Sequence, residues 1–171
     1  MAHTPGTLPA SGGRTRGDGS APGRVILDDV SKRIIEQLQS DGRRSYAAIG
    51  KAVGLSEAAA RQRVQRLVDA GVMQIVAVTD PLTLGFRRQT MIGIRCVGDL
   101  DRVADLLADM TEIDYVVITA GSFDLLVEAV CESDDTLLEL ISAIRSVDSV
   151  LSTETFMYLR LRKQTYSWGV R

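Results

Sequence analysis

The stretch Arg43–Val72, RRSYAAIGKAVGLSEAAARQRVQRLVDAGV, decides the fold of the N-terminal part of this 171-residue chain. It predicts two short helices joined by a tight turn, with arginines concentrated on the second helix. Ser45 is a favourable N-cap for the first helix, and Gly54 suits the left-handed position that ends it. Ser56 is a favourable N-cap for the second helix, which we expect to continue to about Ala70. The pattern is typical of a helix-turn-helix, a unit that places its second helix in the major groove of DNA.

The second helix of this unit has an apolar face and a polar, basic face. The residues expected to pack inward are Ala60, Val64, Leu67 and Val68. The candidate DNA-binding residues are Ser45, Tyr46, Ser56, Ala58, Ala59, Arg61, Gln62, Arg63 and Arg66. The alanines allow close approach to a groove, Arg61 and Gln62 have the reach for base edges, and the other two arginines suit phosphates. The alternative is an ordinary amphipathic helix with a solvated basic face, but caps, turn and arginines together favour DNA.

Charge is distributed unevenly along the chain, whose formal net charge is −2. Residues 1–24 carry +2, residues 25–80 carry +1 and residues 81–171 carry −5. Within Arg43–Arg66, six basic residues stand against a single acidic one, Glu57. Positive charge is therefore concentrated where DNA contact is predicted, and we expect the acidic part to face away from DNA.

Composition excludes several classes of protein. Residues 1–24 are rich in Gly, Pro, Ser, Thr and Arg, so we expect a disordered tail. No apolar segment approaches the length of a membrane span, and the N-terminus lacks the apolar region of a secretory signal, which predicts a cytoplasmic protein without a membrane partner. The single histidine is His3, and no metal-ligand spacing, cofactor motif or catalytic residue is found. Cys96 and Cys131 fall in predicted neighbouring strands, where reduced buried thiols are expected and a bridge is conceivable.

The remaining periodicities predict two domains. A further helix over Asp29–Gln39 completes a three-helix unit at residues 25–71, and residues 72–88 form a linking segment that begins with a strand over Val72–Thr79. Beyond this segment we expect strand Gln89–Val97, helix Asp99–Met110, strand Ile113–Thr119, strand Phe123–Cys131, helix Asp134–Ile144 and strand Val150–Leu161. The fold class is thus α+β: a winged helix-turn-helix joined to a ferredoxin-like βαββαβ domain at residues 89–162, with a tail at 163–171.

The two C-terminal helices should cover one face of the four-stranded sheet. Their inward residues are predicted to be Leu100, Val103, Leu106 and Leu107 on the first helix, and Leu137, Leu138, Ile141 and Ile144 on the second. The strands are largely apolar on both sides, so the other face also needs a cover. A second copy of the same sheet across a two-fold axis is the simplest cover, which predicts at least a homodimer.

Four collinear motifs extend these expectations: LDDVSKRIIEQLQSDGR at Leu27–Arg43, the helix-turn-helix at Gly54–Val72, DPLTLG at Asp80–Gly85 and TAGSFDLLVEAV at Thr119–Val130. In these motifs the sequence resembles the Lrp/AsnC family, the feast/famine transcriptional regulators, from Leu27 to about Leu161. The resemblance implies an N-terminal DNA-binding domain and a C-terminal effector domain. It also implies pairing through the effector domains, with dimers that often assemble into tetramers or octamers.

The resemblance further implies an amino-acid effector site at an interface between dimers, near a Gly-x-x-Asp turn, here Gly121–Asp124, with Thr119 and Ala120 beside it. Phe123 stands where the family often has tyrosine, so a hydroxyl is missing. From the residues themselves, a Gly-rich turn exposes N–H groups that can hold a carboxylate, and Asp124 can pair with an ammonium group. The alternative is a plain hairpin in which Gly121 has a positive φ and Asp124 makes a local hydrogen bond.

Two DNA-binding functions therefore remain open. The first is a sequence-specific transcriptional regulator that responds to a small effector, and the second is a DNA-organising architectural protein with little sequence preference. An enzyme is not expected. Proteins that resemble this family and decarboxylate sirohaem use histidines in the effector domain, and this chain has none there.

Overall fold

The computed structural model describes residues 27–165 and 169–170, so the predicted disordered tail at 1–24 lies outside the described residues. The elements are α1 (Asp29–Ser40), α2 (Tyr46–Val53), α3 (Glu57–Asp69), β1 (Arg88–Cys96), α4 (Leu100–Ala108), β2 (Ile113–Ile118), β3 (Leu125–Cys131), α5 (Asp134–Arg145) and β4 (Val150–Met157). This order confirms the predicted α+β class. The chain forms two compact units, one from the described parts of 19–78 and 162–171 and the other over 79–161.

The three helices of the first unit begin at the side chains that the sequence marks as caps. The Asp28 carboxylate accepts a hydrogen bond from the Ser31 amide at 2.7 Å. The hydroxyls of Ser45 and Ser56 accept amide hydrogen bonds in the same way at the starts of α2 and α3. These bonds satisfy N–H groups that have no partner within the helix. Gly54 ends α2 at φ 79°, in the predicted left-handed conformation.

A small apolar core holds the first unit together. Its most deeply buried members are Ile34, Ile49, Ala60 and Val64, which are at most 2% exposed. Residues on all three helices contribute to it, and Val72, Met73 and Val170 pack at its margin. Because α3 supplies Ala60, Val64 and Leu67 to this core, the rotation of the helix about its axis is fixed, and its opposite face is directed to solvent.

The predicted strand over Val72–Thr79 is wrong. The structure assigns no strand there, and residues 74–80 are exposed. Val72 and Met73 pack on the helical core instead, and no described strand pairs with the residues that follow. β-Branched side chains favour a strand, but a strand also requires a neighbouring strand that completes its hydrogen bonds. The wing expected after the third helix is therefore not formed as a strand within the described chain.

The second unit is a four-stranded antiparallel sheet in the order β2-β3-β1-β4, as expected for a ferredoxin-like βαββαβ topology. In the central pair, Ile92 of β1 faces Val127 of β3, and both are fully buried. The two helices pack on this face of the sheet through Val103, Leu107, Leu140 and Ile144. None of the helices among the described residues is long and apolar enough to span a membrane.

Two residues expected on the inward stripes of α4 and α5 face solvent. Leu106 is 45% exposed and Leu138 is 64% exposed. In α5 the buried position is instead taken by Leu140, which is 4% exposed and lies three residues after buried Leu137. A helix places residues separated by three, four and seven positions on one face. The stripe through Leu137, Leu140 and Ile144 follows this spacing, whereas Leu138 is rotated away from it.

The two cysteines lie too far apart for a disulfide bond. Cys131 pairs with Arg88, which lies eight residues before Cys96 at the other end of β1. At ~3.3 Å per residue the two α-carbons are about 26 Å apart, whereas a disulfide needs them within roughly 7 Å. Both thiols are buried, and burial raises the pKa of each. The expected reduced, buried thiols are therefore what the structure contains.

The face of the sheet opposite the helices is mixed in character. One row across it runs from Tyr115 through Glu128 and Met91 to Phe156. The Gln89 side-chain amide donates to the Glu128 carboxylate at 2.9 Å on this face. Tyr115 and Phe156 are 51% and 42% exposed. This face is thus more polar than expected from the strands, yet it presents large aromatic side chains to solvent.

Candidate DNA-binding surface and effector turn

The solvent-facing side of α3 has the composition of a groove-binding surface. Ala58, Arg61, Gln62 and Arg66 are all exposed along it. Near its N-terminal end an open depression of about 620 Å³ is lined by Glu57, Ala58, Arg61, Gln62 and Gln65. The small Ala58 side chain leaves room for a base edge, while the surrounding long side chains supply hydrogen-bond donors and acceptors. Ala59, which was expected on this face, is half-buried.

Arg61 is held by contacts from two helices. Its guanidinium carbon lies 5.2 Å from the centre of the Tyr46 ring on α2, which is within the range of a cation–π contact. On its own helix it lies 3.6 Å from the Glu57 carboxylate, one turn earlier. The Arg61 side chain nevertheless remains 65% exposed. Tyr46, predicted as a DNA contact, is half-buried and supports Arg61 within the unit.

Arg63 has a different position from the other arginines of α3. Its guanidinium donates to the Asp28 carboxylate and, at 3.2 Å, to the Ser31 hydroxyl, both at the start of α1. The hydrogen bonds from Ser31 and Arg63 lower the pKa of Asp28 to about 2. These contacts join α3 to α1, so the geometry gives Arg63 a structural role, and its predicted phosphate contact stays a prediction. Arg66, in contrast, is exposed and forms no ion pair with any residue that the structure describes.

The turn between β2 and β3 is fixed by hydrogen bonds to β1. The Asp124 amide donates to the Ile94 carbonyl at 2.9 Å, and the Asp124 carboxylate accepts from the Cys96 amide at 2.9 Å. The Thr119 amide donates to the Asp124 carbonyl at 2.9 Å, which closes the turn. The Asp124 side-chain bond is therefore not local, and Gly121 is not among the residues with positive φ. Both features of the plain-hairpin alternative are wrong.

Phe123 is packed against the uncovered face of the sheet. A Cβ atom at Gly93 would lie 2.7 Å from the Phe123 ring, so the ring occupies the space that a side chain would fill. The ring meets Phe156 edge-on at 6.0 Å, and the Arg95 guanidinium carbon lies 5.8 Å from its centre. Sequence reasoning missed these three neighbours of Phe123. The signal was Gly93, because a glycine within a strand often marks the close approach of another group.

The tip of this turn carries unused hydrogen-bond donors. Ala120, Gly121 and Ser122 are exposed, and their amide N–H groups donate to no other described residue. Consecutive backbone N–H groups in a turn can bind an anion such as a carboxylate when they converge on it. The structure brings all five predicted effector residues, Thr119, Ala120, Gly121, Phe123 and Asp124, into this one turn. Asp124 offers a charge for an ammonium group only through the part of its carboxylate not bound to the Cys96 amide.

The described residues contain no group of three His, Cys, Asp or Glu side chains able to hold a metal ion, and His3 lies outside them. A three-helix unit with an exposed, basic second helix of the helix-turn-helix, followed by an α+β sheet unit, defines the class of two-domain DNA-binding regulators.

Comparisons with known proteins agree with this class. Residues 27–68 match the family profile of the AsnC-type helix-turn-helix domain. Residues 87–171 match an AsnC-type C-terminal domain described as a dimeric alpha+beta barrel. The chain is 34% identical over 150 residues to the HTH-type transcriptional regulator FL11 of Pyrococcus furiosus, covering 86% of this chain and 99% of that protein. It is 27% identical to the regulatory protein AsnC of Escherichia coli, covering 79% and 91% respectively.

The chain therefore belongs to the Lrp/AsnC family of transcriptional regulators. The solved structure of Escherichia coli AsnC superposes with a TM-score of 0.70 at 26% identity, over 82% of this chain and 97% of that one. A transcriptional regulator of Neisseria meningitidis, solved in complex with L-Met, gives a TM-score of 0.71 at 21% identity, over 85% and 97%. Since the family and these relatives are regulators, this chain is a DNA-binding regulator of transcription and not an enzyme.

Proposed function

We propose that the chain binds double-stranded DNA sequence-specifically through the exposed face of α3, and that an amino acid bound at the turn Thr119–Asp124 modulates this binding. The observation that carries the first part is the division of α3 into two faces. Ala60, Val64 and Leu67 fix the helix to the core, which leaves Arg61 and Arg66 directed to solvent. Because the proposed partner is DNA, the proposed location of the protein is the cytoplasm.

A basic helix face gains affinity by displacing the counterions that surround phosphates. Residues 81–171 carry a net charge of −5 and would be repelled by the same phosphates. The surface of α3 is therefore the part of the chain best suited to the duplex. Exposed Gln62 and Arg61 carry the donors that base edges accept in the major groove, which favours specific over unspecific binding.

The test is a binding titration at one fixed salt concentration with two duplexes. One is the sequence that the full-length protein enriches from a randomised pool, and the other has the same composition in scrambled order. Sequence-specific regulation predicts at least about a thousandfold tighter binding to the enriched duplex. Equal affinity for both would assign the architectural function instead, and no binding to either at low salt would reject DNA binding through this surface.

The proposed effector is a small molecule with a carboxylate, and most simply a free amino acid. The N–H groups at Ala120, Gly121 and Ser122 would hold its carboxylate, while the Asp124 carboxylate would attract its ammonium group. A Neisseria meningitidis regulator of the same fold, 21% identical to this chain, was solved in complex with L-Met, which supports an amino-acid effector. Phe123 offers no hydroxyl, so an apolar effector side chain fits the turn better than a polar one.

Calorimetric titration of the full-length protein against single amino acids tests this site. The Asp124→Asn variant keeps an oxygen that can accept from the Cys96 amide, but it removes the charge offered to an ammonium group. We expect binding of at least one amino acid to weaken about tenfold or more in this variant. Absence of heat with every amino acid at millimolar concentration, together with unchanged DNA affinity, would reject the effector site.

A homodimer is proposed to form by covering the sheet face that carries Tyr115 and Phe156. Tyr115 and Phe156 are 51% and 42% exposed on a face that α4 and α5 do not cover. Exposed aromatic patches on a soluble protein mark interaction sites. Assembly of such dimers into tetramers or octamers is the further proposal. Sedimentation of the full-length protein at micromolar concentration tests both, and a monomer at every concentration would contradict them.

A further inference from the structure

The environment of Arg61 differs from that of every other arginine on α3. Arg63 is committed to Asp28, and Arg66 extends from the helix without an ion pair to any described residue. Arg61 alone combines high exposure with two contacts that restrain its guanidinium, the Tyr46 ring at 5.2 Å and the Glu57 carboxylate at 3.6 Å. A free arginine side chain loses rotamer entropy when it binds, and a restrained one has already lost part of it.

The position of Glu57 adds chemical information. A carboxylate on a DNA-facing helix is repelled by phosphates, so it suits a place where the partner offers a hydrogen-bond donor. Glu57 and Arg61 line the same depression, together with Ala58. The Glu57 carboxylate supplies a hydrogen-bond acceptor, and the Arg61 guanidinium beside it supplies donors. In the major groove a G·C pair offers the complementary set, with two acceptors on guanine and an amino donor on cytosine.

We infer that Tyr46 is a positioning residue for Arg61, and that the Glu57–Arg61 pair held in this way reads a G·C base pair in each half-site. This inference rests on the proposed binding of DNA through α3. Tyr46 lies on α2 and is half-buried against the core of the first unit, so its ring is a fixed platform. The ring restrains the guanidinium of a residue that lines the depression, where a base edge would enter.

The experiment uses the full-length protein and two duplexes: the sequence enriched from a randomised pool, and the same sequence with the conserved G·C pair of each half-site changed to A·T. For the wild type we expect discrimination of roughly 5- to 100-fold per half-site, as for a well-placed arginine–guanine contact. Arg61→Ala should remove most of it. Tyr46→Leu, which keeps an apolar side chain against the core, should reduce it about two- to fivefold.

Tyr46→Phe is the matched control, because it keeps the ring and removes only the hydroxyl. We expect it to discriminate like the wild type. In the Arg61→Ala background, Tyr46→Leu should cause no further loss, since the platform then has nothing to position. A melting temperature for Tyr46→Leu close to that of the wild type establishes that the helical unit remains folded.

Three results would overturn the inference. If the duplexes enriched from the randomised pool share no G·C pair in their half-sites, Arg61 does not read guanine. Equal losses on both duplexes for Arg61→Ala would make it a phosphate contact. Equal losses of discrimination in Tyr46→Phe and Tyr46→Leu would assign the effect to the hydroxyl and make the tyrosine a direct contact. Failure of the wild type to bind any duplex at low salt would instead reject the proposed function, which is a separate outcome.

Discussion

Replacing Gly93 by alanine tests whether the effector turn is anchored on the sheet. The added Cβ would lie 2.7–2.8 Å from three carbons of the Phe123 ring, and ordinary contact begins near 3.4 Å. The ring must therefore move by about 0.7 Å or swing away. Its edge-on contact with Phe156 contributes ~0.5–1.5 kcal/mol and its contact with Arg95 ~0.5–1 kcal/mol. Replacing a glycine by alanine also lowers the conformational entropy of the unfolded chain, which stabilises the folded protein by roughly 0.4–1 kcal/mol. We expect Gly93→Ala to lower the free energy of unfolding by about 1 kcal/mol net.

Urea unfolding followed by circular dichroism, at fixed protomer concentration, measures this change. In a Phe123→Ala background the same Gly93→Ala change meets no ring, so it should stabilise the protein by about 0.4–1 kcal/mol. Gly121→Ala is the matched control, because a Cβ there meets nothing within 4 Å and the residue has no positive φ. If Gly93→Ala has the same effect with and without the Phe123 ring, the ring does not lie over Gly93 and the reasoning fails.

Three further predictions concern stability and reactivity. Leu140→Ala should cost about 2–5 kcal/mol in the free energy of unfolding, whereas Leu138→Ala should stay within ~0.5 kcal/mol, and equal losses would contradict the helix register. Since the pKa of Asp28 is lowered to about 2 from an ordinary value of 3.8, its contribution to stability is complete above the ordinary value and is lost as pH falls through 2. An NMR titration that finds its carboxyl at the ordinary pKa would refute this. Cys96 and Cys131 should react with a thiol reagent only as the protein unfolds, and a reductant should leave the melting temperature unchanged.

The elements that carry their own local signals could be predicted from the sequence. Ser45 and Ser56 mark helix starts because their hydroxyls bond amides only three residues away. Gly54 marks a helix end because the required φ of 79° is a property of one residue. Such features depend on short segments, so a single sequence determines them.

The features that depend on distant residues could not be predicted in this way. The bond from Arg63 to Asp28 could not be predicted, because Asp28 lies 35 positions earlier in the chain. For the Asp124 carboxylate the sequence left an ammonium partner or a local bond open, but it accepts from the Cys96 amide, 28 positions away. Phe123 was placed in a strand, whereas its ring turns onto Gly93 of a neighbouring strand. In each case the sheet or the helix packing brings together groups that no local pattern connects.

The central claim, that the exposed face of α3 binds the duplex, is tested most directly by the Arg61→Ala, Arg66→Ala double variant. Arg102→Ala is the control, since that arginine is exposed on α4 of the other unit. Affinity for the enriched duplex is measured across a salt series, with circular dichroism to establish folding. We predict at least about a tenfold loss of affinity at 0.1 M salt, as an order-of-magnitude estimate, and a salt slope smaller by about one for each phosphate contact removed. A folded double variant with the affinity and salt slope of the wild type would contradict the account.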